Sequence, residues 1–141
     1  MTSNPMLDFN TSLIGDFRAH GGEATSGPFM GRPLLLLTTV GAKTGRLHTT
    51  PLVYSRDGDR YVVIASKGGA PTNPAWYHNL AANQKATVEV GREKFEAKAV
   101  IAEGAERERL YQAQAAIMPA FADYQKKTTR RIPVVSLERA G

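Results

Sequence analysis

Two tight turns set between apolar runs constrain this chain more than any other feature. Arg56-Asp57-Gly58-Asp59 separates residues 47–55 from 60–66, and Gly91-Arg92 separates residues 86–90 from 93–102. Turns this short join strands as hairpins, so the neighbours they connect run antiparallel. The second arm of the later hairpin alternates: Phe95, Ala97, Ala99 and Ile101 point one way, and Lys94, Glu96, Lys98 and Val100 the other. That is the two-residue period of a half-buried strand. Leu34–Val40 is apolar enough for a strand buried on both faces, and residues 132–137 close the chain as a last strand.

Helical stretches separate these strands. Residues 6–20 collect Met6, Phe9, Leu13, Ile14 and Phe17 on one face, and the glycine-rich connector 21–28 ends that helix. The chain thus divides into an N-terminal helix with its connector, 1–30, and a main domain, 31–141. Asn73 as N-cap and Pro74 at the first helical position start a short helix to about residue 83. Residues 105–118 form another, with Leu110, Ala113, Ile117 and Phe121 on one face. Pro119 interrupts it, and a short helical piece holding Phe121 and Tyr124 follows. Three strands, a helix, two strands, a helix and a strand make an α+β fold. Six mostly antiparallel strands imply a barrel or strongly curled sheet, not a doubly wound one.

A chain of 141 residues can bury one core without staples. It contains no cysteine, which excludes disulfides, thiolate metal sites and cysteine nucleophiles. The longest purely aliphatic run, 34–37, is too short to span a bilayer, and the N-terminus has no secretory pattern. The expected location is the cytoplasm. The amphipathic helix at 6–20 either docks on the domain, the reading we favour, or makes a peripheral contact with the inner face of the membrane.

Charge is unevenly placed. Between Ala24 and Val88 stand seven cations, Arg32, Lys43, Arg46, Arg56, Arg60, Lys67 and Lys85, against two acids, Asp57 and Asp59. This stretch therefore carries the whole net charge of +5, which favours an anionic ligand. Two of its loops join glycines to a cation after an apolar run: Gly41-Ala42-Lys43-Thr44-Gly45-Arg46 and Ser66-Lys67-Gly68-Gly69. The first lacks the glycine spacing and strand-to-helix context of a nucleotide phosphate loop. Lys43, the Thr44 hydroxyl and turn N–H groups still suit phosphate oxygens. The second leads into the helix start at Asn73-Pro74, where unpaired N–H groups favour negative charge.

Catalytic groups are scarce by contrast. His20, His48 and His78 have no metal-ligand spacing, so no metal centre is expected. There is no serine elbow and no isolated carboxylate pair. A chain with groups for holding a cofactor and few for chemistry suits a reaction carried by a bound organic cofactor.

The segments Leu36-Leu37-Thr38-Thr39-Val40-Gly41-Ala42-Lys43-Thr44-Gly45, Thr50-Pro51-Leu52, Ala65-Ser66-Lys67-Gly68-Gly69 and Asn73-Pro74-Ala75-Trp76-Tyr77-His78-Asn79-Leu80 together resemble the deazaflavin-dependent nitroreductase and quinone reductase family. Asp123-Tyr124-Gln125 and Arg131-Ile132-Pro133-Val134 fit it as well, so the likeness covers roughly residues 32–138. The resemblance implies a split β-barrel, like that of the flavin reductases. It also implies reduced coenzyme F-420, an 8-hydroxy-5-deazaflavin with a phosphodiester and an oligoglutamate tail.

Carried over by position, the resemblance places cofactor contacts on Ala42, Lys43, Thr44, His48, Thr49, Thr50, Pro51, Leu52 and Val53. They continue on Ile64, Ala65, Ser66, Lys67, Ala75, Trp76, Tyr77, His78, Asn79 and Phe121. Relatives often have arginine where this chain has His48. The acceptor would meet Val53, Met118, Phe121 and Tyr124, an apolar set that keeps one of the tyrosines found in nitroimidazole-reducing relatives. Quinones, enones and other conjugated acceptors suit it better than nitroimidazoles. The resemblance implies hydride transfer to such an acceptor, with Tyr124, Ser66 or solvent delivering a proton. Rival readings are a flavin mononucleotide oxidoreductase on the same barrel, a non-catalytic deazaflavin carrier, and a nucleic-acid-binding barrel. The last lacks stacking platforms and arginine-rich tracts, so no nucleic-acid partner is expected.

Overall fold

In the computed structural model the described residues are 5–27 and 29–140, with side chains from Phe9 onward. Pro28 of the connector lies outside them. The elements are α1 (Pro5–Ala19), β1 (Leu34–Val40), β2 (Leu47–Val53), β3 (Ser55–Asp57), β4 (Arg60–Ile64), a 3-10 turn (Lys67–Gly69), α2 (Ala75–Ala82), β5 (Lys85–Val90), β6 (Glu93–Ile101), α3 (Gly104–Ile117), α4 (Ala120–Lys126) and β7 (Val134–Arg139). The strands pair antiparallel in the order β2-β1-β5-β6-β7-β4-β3.

That order explains why there are seven strands and not six. β2 and β3 lie at opposite edges of the sheet, yet only Tyr54 separates them in the chain. The predicted single strand 47–55 therefore bends, one half staying with β1 and the other with β4. This forces the two edges together and curls the sheet into a barrel. The β3–β4 ladder pairs Asp57 with Arg60, Arg56 with Tyr61 and Ser55 with Val62. Two steps further it would reach Val53 opposite Ile64. Instead the Tyr54 N–H donates to the Pro33 carbonyl at 3.1 Å, and Val53 pairs with Leu34. Above Tyr54 the barrel is split, with one edge of β2 unpaired. Pro51, which has no N–H to donate, is tolerated on such an edge strand.

Alternation sorts the core. Leu35 and Leu37 of β1, Val63 of β4, Phe95, Ala97 and Ala99 of β6, and Val135 and Leu137 of β7 fill the interior, with Trp76 and Leu80 of α2 plugging one end. Ile101, predicted on the same face as Phe95, sits at the strand's end and is exposed. Leu34 and Leu36 face outward beneath α1, packed with Leu13 and Phe17. The aliphatic run is thus buried on both faces, as its composition predicts. A side chain fully withdrawn from water in this way contributes about 2 kcal/mol.

The apolar face of α1 is therefore spent on the barrel. Phe9 alone of its described predicted members is exposed, at 40 %, beside the Phe29 ring at 6.1 Å. Met6 lies outside the described side chains. Among the described residues no helix is long and apolar enough to cross a membrane.

α3 differs from its predicted face. Its buried residues are Arg107, Leu110, Tyr111 and Gln114, while Ala113 is exposed and Ile117 is 47 % exposed. Two polar groups on that face, Arg107 and Tyr111, find distant partners, whereas the Gln114 amide is buried with none among the described residues. The Arg107 guanidinium donates to the Ile132 carbonyl at 2.7 and 3.1 Å and to Gln125 Oε1 at 2.7 Å. The Tyr111 hydroxyl donates to the Phe121 carbonyl.

Candidate functional site

Strand direction brings the two glycine–cation loops to one end of the barrel. Four antiparallel steps, β1 to β5 to β6 to β7 to β4, make β1 and β4 point the same way. The loop after β1, residues 41–46, and the loop after β4, residues 65–74, therefore emerge together. α2 ties them. It continues from the second loop, and its buried Asn79 accepts from the Ala42 N–H at 3.0 Å and donates to Thr39 Oγ1 at 3.0 Å.

The first loop is a closed turn. The Gly41 N–H donates to the Arg46 carbonyl at 2.7 Å, and the Gly45 N–H to the Gly41 carbonyl at 2.9 Å. A Cβ on Gly41 would stand 2.8 Å from Thr44 Oγ1 and 3.0 Å from His48 Nε2, so only glycine lets both groups converge there. Thr44 Oγ1 accepts from the Arg46 N–H at 3.2 Å, leaving the hydroxyl proton free to be donated. Ala42, Lys43, Thr44, Arg46 and His48 are all exposed. Neither Lys43 nor Arg46 meets a carboxylate among the described residues.

The second loop is built around an unusual backbone. Lys67 has φ of 48°, and it alone among the described non-glycine residues is positive. Such a conformation is uncommon outside glycine and persists where surroundings over-determine it. The surroundings here are Arg130. Its Nε donates to the Ala70 carbonyl at 2.8 Å, its Nη1 to the Ala65 carbonyl at 3.2 Å and Asn73 Oδ1 at 2.8 Å, and its Nη2 to the Ser66 carbonyl at 2.8 Å. Burial pushes this guanidinium below its ordinary value, since its charge is desolvated among neutral oxygens. Asn73 is thus not the N-cap of α2 as expected. Pro74 holds that position with no side-chain cap, so the first N–H groups of the helix keep their affinity for negative charge.

The predicted backbone contacts become the two lips of the split. His48, Thr49, Thr50, Pro51, Leu52 and Val53 form the unpaired edge of β2, and Ile64, Ala65, Ser66 and Lys67 lie across from it at the end of β4. Thr49 and Thr38 share a hydroxyl–hydroxyl bond of 2.8 Å, while Ile64, Ala65 and Ser66 are buried. Apolar residues span the gap. Met118 packs both with the cluster holding Val53 and with the one holding Ile64 and Phe121. Phe121 and Tyr124 meet edge to face at 5.2 Å. The four residues expected around the acceptor are therefore contiguous.

Two members of the expected set act from inside the fold. Trp76, only 6 % exposed, belongs to the barrel interior, and Asn79 is the tie described above. Ala75 and His78 are exposed and Tyr77 half-buried at the start of α2. Sequence reasoning missed Arg130 and its support. Gln125, in a segment singled out above, donates from Nε2 to the Arg130 carbonyl at 2.8 Å and accepts at Oε1 from Arg107 and from the Ile132 N–H.

An open cleft of about 750 Å³ lies elsewhere, between the end of α2 and strands β5 and β6. It contains none of the expected residues, and Glu96 stands in its wall beside Lys85 and Lys98. A mixed lining suits an oligoanion less than the loops do.

Comparisons with known proteins point to one family. The family model for F420H(2)-dependent quinone reductase matches residues 14–139. An F420H(2)-dependent quinone reductase of Mycobacterium tuberculosis (strain ATCC 25618 / H37Rv) is 46% identical over 110 residues, which cover 76% of this chain and 74% of the relative. The solved structure of an F420-H2 dependent reductase superposes with a TM-score of 0.70 at 40% identity, covering 76% of this chain and 95% of that one. A second solved structure, described as a domain-swapped dimer, gives 0.73 at 32% identity over 96% of this chain and 100% of its own. The split barrel, its two loops and these relatives together make the chain a member of the F420H(2)-dependent quinone reductase family.

Proposed function

We propose that the split between β2 and the end of β4 holds reduced coenzyme F-420, and that the chain directs its hydride to a quinone or another electron-poor conjugated acceptor, enones included. The observation that carries this reading is the continuity of three things: cations without carboxylates on two loops at one barrel end, the unpaired β2 edge that runs from the first loop to Val53, and the apolar set Val53, Met118, Phe121 and Tyr124 that spans from that edge to the second loop. The residues fit the cofactor. Lys43 and the Thr44 hydroxyl suit its phosphodiester; the N–H groups of Gly41, Ala42, Gly45 and Arg46 are spent within the fold, where they shape the turn that presents those two side chains. Lys67 and the uncapped start of α2 suit the carboxylates of its tail. Backbone of Pro51, Leu52, Val53, Ile64, Ala65 and Ser66 suits the polar edges of its ring system.

When bound, the reduced deazaflavin supplies a hydride from C5. The chain's own part is orientation and exclusion of water. Val53, Met118 and Phe121 present an apolar wall to the acceptor, and Tyr124 and Ser66 place hydroxyls at its rim. The acceptor gains two electrons with the hydride, and a proton from Tyr124, Ser66 or solvent completes its reduction.

The test is to follow the absorbance of the reduced coenzyme with the purified protein and a panel of quinones and enones. Oxidation that depends on protein and acceptor is expected. Tight binding without turnover on any acceptor would leave a carrier. Titration with flavin mononucleotide in parallel decides the other reading, because binding of that flavin alone would overturn the deazaflavin assignment.

A further inference from the structure

We infer that Arg130 is a positioning residue that presets the second loop for the cofactor before the cofactor arrives. This rests on the reading above for what the loop binds, but the geometry is the chain's own. Four of the five guanidinium donors are committed to residues 65, 66, 70 and 73, a span covering the whole turn and the strained Lys67. None of the four acceptors is a carboxylate. An arginine used merely for charge would seek an acid. This one is used as a fork whose flat geometry matches four neutral oxygens.

The fork is itself held from behind. Gln125 fixes the Arg130 carbonyl at 2.8 Å and is in turn gripped by buried Arg107 at 2.7 Å. The chain of contacts therefore runs from the core of α3, through α4, to the loop. The loop also abuts α4 directly: a Cβ on Gly69 would stand 3.0 Å from the Tyr124 carbonyl and 3.0 Å from Lys127 Cβ. Holding the loop thus fixes the separation between the cofactor lip and Tyr124. A merely structural arginine would affect stability. This one sets cofactor affinity and acceptor KM together, leaving kcat less changed.

The test compares wild type, R130K and R130M. Amide hydrogen exchange is read on the protein without cofactor, and calorimetry with oxidised coenzyme F-420. The Gly69 and Ala70 amides, now bonded to the Ser66 and Lys67 carbonyls at 2.9 and 3.1 Å, should exchange about tenfold faster in both variants. The cofactor should bind about tenfold more weakly, because a loop no longer preset must be ordered on binding. Lysine keeps the charge and loses the fork, so R130K binding as tightly as wild type would overturn the inference. So would weakened binding with unchanged loop exchange. If neither Arg130 variant folds, N73A removes a single acceptor; it should speed loop exchange severalfold, and unchanged exchange there rejects the clamp. Absence of heat from wild type would instead sink the deazaflavin reading, while the exchange measurement would still judge Arg130.

Discussion

The two ends of strand β4 carry turns that look alike in the sequence and do opposite work. Before it, Arg56-Asp57-Gly58-Asp59-Arg60 surrounds glycine with charge. After β1, at the end where β4 finishes, Gly41–Arg46 does the same. At the hairpin the cations are consumed. Arg60 pairs with Asp57 and with Glu106 at 2.9 Å, Arg109 of α3 reaches Asp57 at 2.9 Å, and Arg56 lies 4.2 Å over the Tyr61 ring. At the loop end, Lys43 and Arg46 meet no carboxylate among the described residues, and Lys67 reaches only the Thr72 hydroxyl at 3.3 Å. A count of +5 cannot separate these cases. What separates them is whether the fold supplies a counter-ion: where it does, charge pins a hairpin to a helix, and where it does not, charge is left for a ligand.

The strongest way to break this comparison is to remove one cation from each end and look for opposite effects. Lys43→Ala should weaken binding of coenzyme F-420 about tenfold, as expected for a lost charge-assisted contact. The remaining affinity should depend less on salt, with the melting temperature unmoved. Calorimetry at two ionic strengths checks both, and unchanged affinity would remove Lys43 from the site.

Next in size is Tyr124→Phe. Its ring would still pack on Phe121, so the fold and the cofactor affinity should hold while acceptor turnover falls severalfold through loss of the hydroxyl. Steady-state kinetics with one quinone decides it. Equal rates for the two proteins would leave Ser66 or solvent as the proton source.

Arg60→Ala should reverse the Lys43 pattern. Partly exposed ion pairs are weak and screened, so the melting temperature should fall by only about 1–4 °C. Cofactor affinity should stay at the wild-type value. A loss of affinity would mean that the two ends are not independent.

Much of this was legible in the residues. Hairpin turns, the alternation of β6 and the doubly buried aliphatic run of β1 are local signals, because period and turn chemistry act over a few residues. The two loops were legible as a pair for the same reason. What escaped was set by partners far along the chain. The bend at Tyr54 has no glycine or proline to announce it, since competition between β1 and β4 for one strand imposes it. The buried face of α3 departs from its apolar period because it includes the polar Arg107, whose partner Ile132 lies 25 residues away. Arg130 escapes such signals because three of its four acceptors are backbone carbonyls some 60 positions earlier, which no side-chain pattern encodes. Asn73 looked like a cap until that arginine claimed it.

The smallest effect is also the one that most finely separates the two ends, because acid titrates the hairpin's counter-ion and spares the loop lysines. Arg109 and then Arg60, by hydrogen bonding, hold the Asp57 carboxyl far below its ordinary value of 3.8. A carboxylate with a depressed folded-state pKa contributes stability that is complete above its unfolded value and fades as pH falls through the folded one. The hairpin's contribution should therefore be whole above about pH 4 and shrink toward pH 2. Asp16, lowered chiefly by the Thr25 hydroxyl, titrates in the same direction and must be kept in the comparison. Asp57→Asn should lower stability at pH 7 slightly and flatten only part of the acid limb, the part left being that of Asp16 and the other carboxylates. Thermal melts of both proteins from pH 7 to pH 2 read this directly, and parallel curves over that range would show that the hairpin network contributes nothing that protonation can remove.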